Sequence, residues 1–231
     1  MRKLFVVLDV ETVTDARLVF DVAWHVCDSK GNILESYNAL VSEIVDAPFA
    51  FLLLRNDRFM KNKCQMYIDA IINKSIPVKS LFDIACDFND LARRYNAKVI
   101  ACAYNAHFDY NVLNDNLEAY EGVPFFENAD CVIDILTMSL ATICNTNKYV
   151  RWCNIHGFVT EKGNVKTNAQ TVYAYLTQNS DFVEAHHALE DCDIEKEILF
   201  KCRKYKKKHH IKFAYPLYHC PEWKQVQNKN N

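Results

Sequence analysis

Three short apolar runs open the chain. Residues 4–10, 19–27 and 33–41 are rich in Val, Leu, Phe and Trp, at the length and composition of strands. The last two are joined by Asp28-Ser-Lys-Gly-Asn32, a Gly-containing turn suited to a hairpin, so three antiparallel strands are expected. After Pro48 the period lengthens. Residues 78–95 place Leu81, Ile84, Ala85, Phe88, Leu91 and Ala92 at helical spacing, which predicts an amphipathic helix. Lys98–Tyr104 reads as a buried strand and is followed by a helix from about Phe108 to Ala119. Cys131–Ile135 reads as a short strand or the entry to a helix, followed by a helical run to about Cys144. Further helices are expected over 168–178 and 184–205, whereas 145–167 gives no clear period. The order βββαβα and then helices indicates an α/β fold.

Composition narrows the class. The chain has 231 residues, half hydrophobic and 24% charged, with only 4 Gly and 5 Pro, as expected for one folded domain without long linkers. We read 1–205 as that domain, with a helical insert at about 45–97, and 206–231 as a basic C-terminal tail. The first apolar run is too short for a signal peptide or a membrane span, which points to a cytoplasmic protein without membrane contact. Ten scattered cysteines read as buried thiols. Cys153-x-x-His156 and the group Cys202, His209, His210, His219 and Cys220 contain zinc-ligand types but no paired CxxC spacing. The net charge of −2 conceals a run, Lys201–Lys212, with seven cations and no acid. That run suits either phosphate or the negative pole of a helix.

Three constellations carry candidate chemistry. Asp9 and Glu11, at the end of the first strand, point to one face and would repel unless a cation neutralises them. Asn105 and Asp109 follow a buried strand and begin a helix, the place where open α/β folds put ligands, although both types also serve as caps. Finally, Ala185-His-His-Ala-Leu-Glu-Asp191 heads an apolar-striped helix. Helical spacing puts His187 and Asp191 on one face. His186 would be roughly 140° away, converging only from a preceding loop.

Together these residues resemble the DEDDh 3′→5′ exonuclease family, which includes polymerase proofreading subunits, ribonuclease T and oligoribonuclease. D-x-E-T stands as Asp9-Val10-Glu11-Thr12, N-x-x-x-D as Asn105-Ala-His-Phe-Asp109, and H-x-A-L-x-D as His186-His187-Ala-Leu-Glu-Asp191. The last match selects His186. One departure follows Thr12, where many relatives continue T-T-G and this chain has Thr12-Val13-Thr14.

The resemblance implies a ribonuclease H-like mixed five-stranded sheet with flanking helices. It implies two Mg²⁺ or Mn²⁺ ions held by Asp9, Glu11, Asp109 and Asp191, with His186 as the base. Thr12, Asn105 and Phe108 would meet the terminal nucleotide of DNA or RNA with a free 3′ end, and proofreading would require a polymerase or other replication protein as partner. Two rival functions are a catalytically idle nucleic-acid-binding or assembly subunit and a metal hydrolase of small phosphoesters.

Overall fold

The structure, a computed structural model, describes residues 2–47, 55, 63–118, 124–184, 187–210 and the backbone of 217–218. Its centre is strand β1 (Arg2–Val13), antiparallel to β2 (Leu18–Cys27), which is antiparallel to β3 (Ile33–Val41). The hairpin of the sequence reading is therefore present. Short helix α1 (Ser42–Val45) leaves β3. Helix α2 (Cys64–Asn73), strand β4 (Val78–Lys79), and helices α3 (Leu81–Asn89) and α4 (Leu91–Tyr95) make up the described part of the 45–97 segment. Strand β5 (Ala97–Ala103) returns parallel to β1. Helix α5 (His107–Glu118), strand β6 (Cys131–Asp134) and helices α6 (Ile135–Ala141), α7 (Asn147–His156), α8 (Ala169–Thr177) and α9 (Ala188–Lys208) follow, and the two-residue strand β7 (Leu217–Tyr218) closes the order.

The sheet runs β4-β3-β2-β1-β5-β6-β7. Five strands of four or more residues form the mixed sheet expected from the sequence, and two-residue pairings at each edge extend it to seven. Because β1 is central, its alternation divides the core. Leu4, Val6, Leu8 and Val10 face α3 and α5, packing with Ile84, Phe88, Val112 and Leu113, while Phe5 and Val7 face Ile194, Ile198, Leu199 and Cys202 of α9.

Three boundaries differ from the periodic reading. The expected 78–95 helix begins only at Leu81, because Ser80 caps it by accepting the Asp83 N–H at 3.0 Å and Val78–Lys79 pairs with β3; it also divides at Asp90. The 184–205 helix begins at Ala188, since His187 is extended, and continues to Lys208, three residues into the segment read as tail. In 145–167, Thr146 caps α7 by accepting the Tyr149 N–H. The described cysteines are free thiols, seven of them buried. No helix among the described residues is long and apolar enough to cross a membrane.

Candidate active site

Asp9 belongs to the row that starts with Phe5 and Val7 and so points at α9 rather than into the opposite core. Glu11 continues the row. Between Glu11 and Thr12 the pairing with β2 shifts register by one residue, a bulge of the kind that re-aims side chains beside functional sites.

Helix α9 completes the cluster through its buried stripe. Asp191, Glu195, Ile198 and Cys202 lie at i, i+4, i+7 and i+11, with acids over the first two turns and apolar groups below. The helix approaches closely because Ala23, the cross-strand partner of Asp9, packs with Ala188 and Cys192, all fully buried and small. Cys192 Sγ reaches the Ala23 carbonyl at 3.4 Å. One carboxylate oxygen from each of Asp9, Glu11 and Asp191 consequently lies within 4.8 Å of the others.

Asp109 is buried at the start of α5, where the backbone N–H of Val10 donates to its carboxylate and its charge raises the pKa of Asp9. The turn that puts it there is held by Asn105, left-handed at φ 62°, whose N–H donates to Asp134 Oδ1 at 3.0 Å and whose carbonyl accepts the Phe108 N–H at 2.8 Å. Asn is among the few non-Gly residues that tolerate that conformation. The Asn105 side chain is exposed; Phe108 is half-buried with Arg17 over its ring at 5.5 Å, and Thr12 is half-buried at the bulge. Thr14, where the exonucleases whose motifs it resembles often carry Gly, also has a positive φ of 68°. The backbone thus keeps a conformation natural to Gly while carrying a β-branched side chain, a local strain.

Several acids share one partly dry volume, and burial dominates their ionisation. It raises Asp9 well above the carboxylate range, with Glu195, Asp109, Glu11 and Asp191 adding repulsion. Burial pushes Glu11 up to about 7 despite Lys63, and Asp109 and Asp191 each to about 8. All-oxygen donors that resist being charged together are what a hard divalent cation stabilises.

Two members escape motif reading. Glu195 is buried, its pKa raised by desolvation and Asp109, and it accepts the Tyr104 N–H at 3.0 Å, tying α9 to the end of β5. Its signal in the sequence was the four-residue step from Asp191. Lys63, just before α2, puts its ammonium 3.5 Å from Glu11 Oε1 and is mostly buried; its charge also reaches Glu184 and Asp191. No motif contains it.

Of the two histidines, His186 lies outside the described residues. His187 is the extended residue before α9; its carbonyl accepts the Asp191 N–H at 2.9 Å and its ring stacks on Tyr67 at 5.8 Å. Tyr67 donates to Asp21, the buried partner of Glu11 across the strand pair, and Asn38 donates to the other oxygen of the same carboxylate. His187 is thereby packed towards this Asp21–Tyr67 network. Among the described residues, the candidate zinc ligands form no such cluster: Cys153 is buried in the core, and His156 lies against Trp152. His219 and Cys220 lie outside the described residues.

No protein-family model matches this sequence, and no characterised protein matches it in sequence. Solved structures match in shape. Escherichia coli exonuclease I in complex with a dT13 oligonucleotide aligns at a TM-score of 0.54 and 14% identity, over 90% of this chain and 43% of that one. The zinc-ion-bound form of E. coli exonuclease I with single-stranded DNA gives 0.51 at 15% identity, over 90% and 41%. A full-length 3′-exonuclease gives 0.51 at 11% identity, over 88% and 61%. The chain spans less than half the length of these exonuclease I structures. At such identities the likeness is one of fold: the chain has the mixed-sheet, ribonuclease H-like α/β architecture of the exonucleases it superposes on.

Proposed function

We propose that the chain is a metal-dependent 3′→5′ exonuclease that releases nucleoside 5′-monophosphates from a DNA or RNA end. The observation that carries this reading is the convergence of Asp9, Glu11 and Asp191 oxygens within 4.8 Å, with Asp109 buried beside Asp9. The exonuclease identity of the structures sharing the fold, one with dT13 and another with zinc ion and single-stranded DNA, supports it.

The donor set fits two Mg²⁺ or Mn²⁺ ions: Asp9, Glu11 and Asp191 would hold one, and Asp9 with Asp109 the other. Bound there, the ions supply activation of the attacking water and charge stabilisation at the leaving 3′ oxygen. His186 would serve as the base toward the attacking water. Phe108 offers a face to the terminal base, while Thr12 and the Asn105 turn border the terminal nucleotide. Glu195 holds the start of the β5–α5 turn against α9 through the Tyr104 N–H, and Lys63 offsets part of the carboxylate charge.

Digestion of 5′-labelled DNA and RNA oligonucleotides with Mg²⁺, Mn²⁺ or chelator tests the reading. We expect a ladder shortening from the 3′ end, abolished by chelator and by Asp109→Asn in a protein that still melts cooperatively. Chelator-insensitive cleavage, or equal action on a simple phosphate monoester, would refute it.

A further inference from the structure

The C-terminal half of α9 forms one wall of a cleft of about 900 Å³ that the proposed chemistry does not use. Six cations line it: Lys30, Lys201, Arg203, Lys204, Lys206 and Lys207; Glu197 is the single acid among the described lining residues. Lys30 comes from the β2–β3 turn, far away in sequence, and its presence is built into the fold. Asp28 accepts the N–H of Lys30 at 2.7 Å and of Asn32 at 3.0 Å, closing the turn. Gly31, at φ +94°, lets that turn meet α9, since a Cβ there would stand 2.9 Å from Cγ of Phe200. On the same wall the Arg203 guanidinium lies 3.6 Å over the Phe5 ring, which is edge-on to Phe200.

A favourable helix pole accounts for Lys206 and Lys207, because that effect fades beyond the last turn. It does not account for Lys30, Lys201 or Arg203, which converge on the same space. Along the helix, Lys204 lies thirteen residues from Asp191, about 20 Å at 1.5 Å per residue. At about 3.4 Å per stacked nucleotide, a strand covers that distance in roughly six nucleotides.

We propose that this cleft anchors the phosphate backbone of the nucleic-acid strand whose 3′ end occupies the acid cluster. The proposal rests on the exonuclease reading for the position of the strand's end. An acidic site repels a polyanion, and a separate cationic station on the same helix supplies the attraction. Shorter substrates reach only the acid cluster.

The test uses the full chain in chelator, with labelled single strands of 3 and 20 nucleotides and with polyglutamate, comparing wild type with Lys201→Gln/Lys204→Gln/Lys207→Gln. We expect the 20-mer to bind about tenfold or more weakly to the variant, with its salt slope reduced by roughly 2, three contacts at about 0.7 each. Binding of the 3-mer, and its hydrolysis in Mn²⁺, should not change. Equal losses for 3-mer and 20-mer, or an unchanged slope for the 20-mer, would overturn the anchoring site. Loss of polyglutamate binding with the 20-mer unaffected would also overturn it, in favour of an acidic protein partner. If neither length is hydrolysed by wild type while the length-dependent loss persists, the exonuclease reading fails and the anchor stands.

Discussion

The two ends of α9 have opposite chemistry in opposite surroundings. Its first two turns bury Asp191 and Glu195 against β1 and β5, where desolvation raises both carboxyls. Its last turns expose Lys204, Lys207 and Lys208 to solvent. A buried charge is costly enough to demand a partner or a function, whereas an exposed one is nearly free. The buried end therefore speaks through single residues, and the basic end only through several cations gathered in one place.

The sharpest contrast comes from single neutralisations. Asp191→Asn should lower turnover at saturating metal by up to roughly a thousandfold, the upper scale for losing one preorganised charge contact. By comparison, Lys204→Gln should leave it within about twofold. Comparable losses at both ends, measured on a 3-mer, would erase the distinction. Next in size, His186→Ala should cost roughly a hundredfold or more. His187→Ala, which removes a ring stacked on Tyr67, should act chiefly on Tm; a larger rate loss from His187 would reassign the base.

Glu195→Gln keeps the shape of the buried end while removing an acid whose charge bears on Asp9 and Asp109. A loss of about 10- to 100-fold in metal affinity is expected, the scale on which groups just outside the ligands act. Unchanged affinity by titration calorimetry would reduce Glu195 to a structural tie to Tyr104.

The smallest effect concerns stability and pH. Between the ordinary carboxylate range and pH 7–8, the folded chain keeps protons on Glu11, Asp109 and Asp191 that the unfolded chain has released. Metal-free stability must then fall as pH rises through that window. At pH 8, Mn²⁺ at a hundredfold excess over its Kd should raise Tm by roughly 5–10 °C, and less at pH 5, where protons compete. A metal-free Tm rising from pH 5 to pH 8 would contradict the buried acid cluster.

The legible part of the sequence was whatever a short-range rule could express. The apolar run at residues 4–10 predicted β1, the two-residue step from Asp9 to Glu11 predicted their shared face, and the hairpin turn at Asp28–Asn32 predicted the β2–β3 pairing that the structure has. Helical spacing also favoured His187, yet the ring is turned towards Tyr67 because the residue is extended before the first turn. The boundaries at Ser80 and Ala188 escaped because a cap and an extended residue cut across the apolar period. The feature least visible was Thr14, whose left-handed backbone no β-branched residue advertises.

Sequence by itself thus determined the order of elements and the strand and helix faces, because each follows from repeats of two or 3.6 residues and from local turn chemistry, while the grouping of the acids came from the motifs' resemblance to a family. Only the tertiary structure decided that Glu195 and Lys63 belong with those acids, that Ala23, Ala188 and Cys192 let α9 come close enough, and that Lys30 and Lys204 line one cleft. These are contacts between segments tens to well over a hundred residues apart. They depend on how closely packed surfaces can approach, which no local pattern encodes.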